Sequence, residues 1–120
     1  MTALSSALFG LVRREGEALL ACLADLQDEE ELFASANTLA AVEACLRVMA
    51  RSLADLPPFA QAALAALDWQ GWQGVQTALL QPQAPRREAV WYAVTTLVPA
   101  TLALLEQLRR QRPTLFAFDL

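Results

Sequence analysis

Residues 86–111 read RREAVWYAVTTLVPATLALLEQLRRQ, and the spacing of their apolar positions decides the fold class. Val90, Val94, Leu97, Thr101, Leu104 and Leu108 recur every three or four residues and make one stripe along a helix. Trp91, Val98, Leu102 and Leu105 make a second stripe beside it. Two stripes give a face wider than one contact inside a small bundle needs, which implies a surface buried against a partner. A symmetric homodimer is the default form of such a contact. Pro99 should bend the helix. Arg109, Arg110 and Arg112 suit its negative end. Arg86 and Arg87 lie at the positive end, where cations are disfavoured; a solvated pair is the plain reading, and contact with a phosphate or a partner the sharper one.

Working outward, the rest of the chain also reads as helix. A first helix is expected from Ala3 to Leu26, with Leu4, Leu8, Leu11, Leu19, Cys22 and Leu26 on its inner face. Gly10 and Gly16 weaken it, so packing must hold it together. Asp28 caps a second helix, with Glu31 reaching back from three residues on. That helix is expected to run unbroken to Ala54 through Leu32, Ala36, Leu39, Val42, Leu46, Met49 and Leu53. Leu56-Pro57-Pro58 ends it. Phe59–Leu67 is a short helix, Asp68 caps a second short one through Leu80, and residues 81–85 form a loop. The expectation is one all-α domain over residues 1–120: an antiparallel up-and-down bundle of three long helices and a short pair.

Composition agrees with this and excludes several functions. The chain is 56% apolar against an ordinary 45–50%, and the excess is mostly alanine and leucine, both strong helix formers. Net charge is −4, with no basic stripe, which argues against stand-alone nucleic-acid binding. Histidine is absent, so the commonest general base and zinc ligand are missing; no metal or cofactor is expected. In a helical hairpin turning near Gln27–Asp28, Cys22 and Cys45 lie about 11 residues out of step. That is on the order of 16 Å, too far for a disulfide, so both are read as buried structural thiols. The uncharged run from Ala89 to Leu105 is at the lower edge for a membrane span and contains Thr95, Thr96, Pro99 and Thr101. It is read as a core helix, and the charges before Cys22 argue against a lipoprotein leader. A cytoplasmic protein without a membrane partner is the expectation.

From about Glu30 to Arg110 the sequence resembles the HepT-like branch of the HEPN superfamily. The likeness rests on Glu31-Leu32-Phe33 with Ala41-Val42-Glu43-Ala44-Cys45-Leu46; on Leu56-Pro57-Pro58 with Asp68-Trp69 and Gly74; and on Glu88-Ala89-Val90-Trp91 with Val94, Leu97, Pro99 and Leu105-Glu106-Gln107-Leu108. It implies a helical bundle that dimerises along its later helices. Many members are bacterial ribonuclease toxins paired with a minimal nucleotidyltransferase antitoxin. Their motif is arginine, four residues, histidine, one residue, tyrosine. Counted from Trp69 and Gly74, those positions hold Gln76, Gln81 and Gln83 in this chain.

A carboxamide neither moves a proton at neutral pH nor carries the positive charge that a developing phosphorane needs. Gln83 also lacks the hydroxyl that such antitoxins adenylylate, and Tyr92, the single tyrosine, reads as structural. The expectation is therefore a pseudo-ribonuclease: a non-catalytic protein acting through partner binding in a toxin–antitoxin or nucleotidyltransferase-associated system. Its three glutamines either have drifted or line a pocket that binds without chemistry. The alternatives are a ribonuclease using Arg86 or Arg87 with Asp68 or Glu88, and a helical interaction or immunity module that only imitates the family.

Overall fold

In a computed structural model, which describes residues 3–81 and 85–113, all regular structure among the described residues is helical. The elements are α1 (Ala3–Leu23), α2 (Glu29–Ala34), α3 (Ala36–Ala54), α4 (Pro58–Ala63), α5 (Trp69–Leu80), α6 (Arg86–Tyr92), a π-helical turn (Ala93–Leu97) and α7 (Val98–Gln111). The last three run on as one helical rod. Phe9, Val12, Leu19, Leu46, Met49, Leu53, Trp72, Val90, Val98 and Leu105 meet in one core.

The caps explain where helices begin. Asp28 accepts from the Glu31 N–H at 2.9 Å. Glu31 reaches back to the Gln27 N–H at 3.0 Å, one residue earlier than the simplest box. Asp68 accepts from the Gly71 N–H at 2.8 Å and starts α5. Gly71 suits that place, because a Cβ would stand 2.5 Å from the Asp68 carboxylate and one of the two would have to shift.

Four expectations need correction. The helix expected over 28–54 breaks at Ser35, whose backbone is extended (φ −101, ψ 94). Its N–H still closes α2 onto the Leu32 carbonyl at 3.2 Å, and its carbonyl opens α3 by accepting from Leu39 at 2.9 Å. The side chain bonds the Thr38 hydroxyl at 2.9 Å. The break rests on these two main-chain bonds, since the serine hydroxyl caps neither helix, and a one-residue break leaves the apolar period almost undisturbed.

The first helix stops at Leu23 and faces the core differently. Its innermost positions are Ser5, Phe9, Val12, Gly16 and Leu19, whereas Leu4 is 62% exposed. Gly16 decides this rotation. A Cβ there would stand 2.7 Å from Leu102 Cδ2 and 3.1 Å from Met49 Cε. At this glycine α1 packs closely on side chains of both α3 and α7.

Gly16 lies against the end of the Met49 side chain, and Cys22 lies near enough to Cys45 to act on its thiol, closer than the separation expected from the sequence. Both thiols are free and half-buried rather than fully buried. Desolvation first, then the neighbouring Glu15 carboxylate and the Cys22 side chain, push the Cys45 thiol above its ordinary value, so it stays protonated at neutral pH.

The second stripe of the C-terminal rod is internal. Val98 and Leu105 are buried, and Leu102 packs against Gly16. The surplus read as a partner face covers α1 instead. The disturbance expected at Pro99 takes the form of the π turn just before it, where the Val98 N–H reaches the Ala93 carbonyl. Thr95 Oγ1 donates to the Trp91 carbonyl at 2.8 Å within the same segment. By length and composition alone the rod from Arg86 to Gln111 could cross a membrane; here its inner face packs on the core.

Candidate functional site

Of the three glutamines singled out in the sequence, Gln76 lies on α5 and Gln81 caps its end. Gln76 is half-buried and lines two adjoining clefts. One, of about 380 Å³, lies between α3 and α5 and is lined by Arg47, Arg51, Ala54, Asp55, Leu79 and Leu80. The other, of about 210 Å³, reaches toward Gln61, Trp69 and Trp72. Gln81 ends α5 with its N–H on the Thr77 carbonyl at 3.0 Å and is exposed. Gln83 lies outside the described residues.

Arg86 and Arg87 are both held within the chain. Arg86 forms a fork onto Glu43, with Nη2 2.8 Å from Oε1 and Nε 3.1 Å from Oε2. Glu43 is largely covered, so this two-point, charge-assisted contact fastens α6 to α3. Arg87 reaches Glu29 at 3.1 Å and lies over the Phe33 ring, 4.6 Å from its centroid, fastening α6 to α2. The unfavourable cations at a helix start are thus compensated by acids brought from two other helices. At the far end, Arg109 and Arg110 both bond Glu106 and hold its carboxyl below the usual range.

Asp68 and Tyr92 form a surface pair. The Tyr92 hydroxyl donates to Asp68 Oδ2 at 2.7 Å, while Oδ1 caps α5. The tyrosine bond and then the Gly71 N–H lower the Asp68 pKa, and the same carboxylate raises that of Tyr92. The arginines therefore face Glu43 and Glu29, and Asp68 faces Tyr92. Among the described residues no group of three or more metal-ligating side chains converges.

The Asp68–Tyr92 pair gives a signed pH expectation. A lowered folded-state pKa favours the fold above the ordinary carboxyl value of 3.8, and that contribution is lost as pH falls through the folded value. Tyr92→Phe should move the Asp68 titration up toward 3.8. Carboxyl-carbon NMR reads this directly, and an unmoved titration would show that the hydroxyl is not its cause.

A third surface feature is an open apolar groove of about 490 Å³ between α5 and α6, lined by Gly74, Val75, Ala78, Pro85, Ala89 and Tyr92 among others. Gly74 is exposed on it, and a Cβ there would touch nothing within 4 Å. Neither this groove nor the Arg47–Arg51 edge of the larger Gln76 cleft could be found by reading along the chain, because each joins two helices. Comparisons with known protein families, curated proteins and solved structures found no match.

Proposed function

We propose that the chain is a non-catalytic, HEPN-like helical module that works in the cytoplasm by binding protein partners. It does so as a homodimer and with a minimal nucleotidyltransferase of the toxin–antitoxin type. The observation that carries the binding reading is the α5–α6 groove: small side chains line it, the exposed Gly74 leaves room for close backbone approach, and Tyr92 stands beside it, 42% exposed. A second copy presenting the same face would fill it symmetrically. The non-catalytic reading is supported by glutamine at all three motif positions and by the lack of any histidine to carry a proton.

Light scattering at tens of micromolar tests the dimer. The wild type should have twice the chain mass and Gly74→Arg the single mass, with an unchanged helical spectrum, since open space surrounds the new side chain. A monodisperse wild-type monomer removes the dimer. Co-purification with a co-expressed minimal nucleotidyltransferase tests the partner. RNA incubated with the pure protein should stay intact; cleavage abolished by Arg86→Ala and Arg87→Ala would establish a nuclease instead.

A further inference from the structure

The cleft between α3 and α5 combines features that the partner-binding reading does not use. Arg47 and Arg51 stand one helical turn apart on α3 and line it together. Arg86, Arg87, Arg109 and Arg110 each hydrogen-bond a carboxylate. Arg47 and Arg51 do not. Arg47 approaches Glu43 only to 3.6 Å, and Arg51 approaches Asp55 only to 3.9 Å. Arg47 thus shares Glu43 with the closer Arg86 fork.

Two guanidiniums, each with five N–H donors, therefore flank this cleft in long ion pairs and without a hydrogen-bonded acceptor among the described residues. Opposite them lies the Gln76 carboxamide, which has no hydrogen-bond partner among the described residues. The rest of the lining is Asp55, beside Arg51, and an apolar wall of Ala54, the buried Leu79 and Leu80, which is 72% exposed at the mouth. Cationic donors, a polar amide and an uncovered leucine face a space of about 380 Å³, within the usual size of small-ligand sites.

We propose that this cleft binds a small organic phosphate. Its phosphoryl group is held between Arg47 and Arg51, its apolar body lies on Leu79 and Leu80, and a polar substituent meets Gln76. Phosphate suits the arrangement better than carboxylate. A planar carboxylate is satisfied by one arginine fork, whereas a tetrahedral dianion offers acceptors to two guanidiniums approaching from different directions. The apolar wall distinguishes such a ligand from a bare ion. Asp55 is the one acidic group lining the cleft and biases it against larger polyanions.

The test uses the full chain and phenyl phosphate as the probe, followed by NMR of the Gln76 side-chain amide and the arginine Nε–Hε signals. Inorganic phosphate and phenol serve as controls. Saturable shifts at Gln76, Arg47 and Arg51 are expected with phenyl phosphate. Inorganic phosphate and phenol should each bind at least about tenfold more weakly. Arg47→Ala and Arg51→Ala should each weaken the probe about tenfold or more, the range for losing a charge-assisted hydrogen bond. Leu80→Ser should weaken phenyl phosphate while leaving inorganic phosphate unchanged. All three side chains are exposed, so a folded variant is expected and a circular dichroism spectrum verifies it. Non-saturating shifts, or binding unchanged in the Arg47→Ala/Arg51→Ala double variant, would overturn the proposal. Equal affinity for inorganic phosphate would overturn the organic part and leave only a charged edge. None of these readouts depends on whether the α5–α6 groove pairs two copies.

Discussion

Trp72→Ala should destabilise the protein by about 3–5 kcal/mol, the cost of emptying a large buried aromatic site. A domain of this size is stable by about 5–15 kcal/mol, so the loss leaves it near the edge of folding. Trp72 is 2% exposed in the middle of α5, and its indole N–H donates to Thr101 Oγ1 on α7 at 3.0 Å. It thus fills volume and also satisfies the buried threonine hydroxyl. Smaller changes separate the two roles. Trp72→Phe keeps much of the ring but removes the donor, while Thr101→Val keeps the shape but leaves the indole N–H unpaired. Each should cost about 1–3 kcal/mol, and the double variant less than their sum, because the second change removes a group already left unsatisfied. Urea midpoints at constant slope measure all four proteins. A Trp72→Ala loss under about 1 kcal/mol would mean that the α5–α7 contact is not part of the core.

Gly16→Leu should be the next most damaging change, at about 1–3 kcal/mol or somewhat more, through overpacking. Even the first added carbon would stand 2.7 Å from Leu102 Cδ2. Gly16→Ala should be close to neutral. The ends of Leu102 and Met49 are flexible enough to move aside, and alanine recovers roughly 1 kcal/mol of helix propensity. Propensity alone ranks both substitutions above glycine, so the contrast isolates the steric effect. Thermal melts should show the leucine variant down by roughly 4 °C or more for each kcal/mol lost. A leucine variant as stable as the wild type would show that α1 does not cross α3 and α7 here.

Much of this fold is legible in the sequence because its signals are local. Asp28 and Asp68 announce helix starts through side-chain geometry that needs only the next three residues. Leu32, Val42, Leu46, Met49 and Leu53 announce an inner face by their spacing, and all are buried. What stays hidden depends on the meeting of distant elements. Gly16 reads as a weak point along the chain and becomes a close contact between three helices in space. Leu4 reads as core and is exposed, because the inner face of α1 runs through Ser5, Phe9, Val12, Gly16 and Leu19, mixing small residues with large ones. Ser35 breaks a helix without breaking its apolar period.

The candidate sites divide the same way. Gln76, Gln81 and Gln83 stand out only through a family resemblance. Arg86 and Arg87 stand out as cations at the wrong helix end, but their partners Glu43 and Glu29 cannot be named from spacing. Arg47 and Arg51 look like ordinary surface arginines until Gln76, Leu79 and Leu80 are seen opposite them.

The Gly16 crossing also governs how the chain is made. Leu102, which completes the cover over that glycine, lies about 50 residues beyond the end of α3; at about 5–20 residues per second, the α1–α3 hairpin waits on the order of 2–10 seconds for it during synthesis. Through that interval the nascent hairpin carries an uncovered seam around Gly16, open to chaperones or to a neighbouring nascent chain. The last helix therefore acts as a clasp, and a chain halted before it is translated would leave the ribosome with its core unsealed.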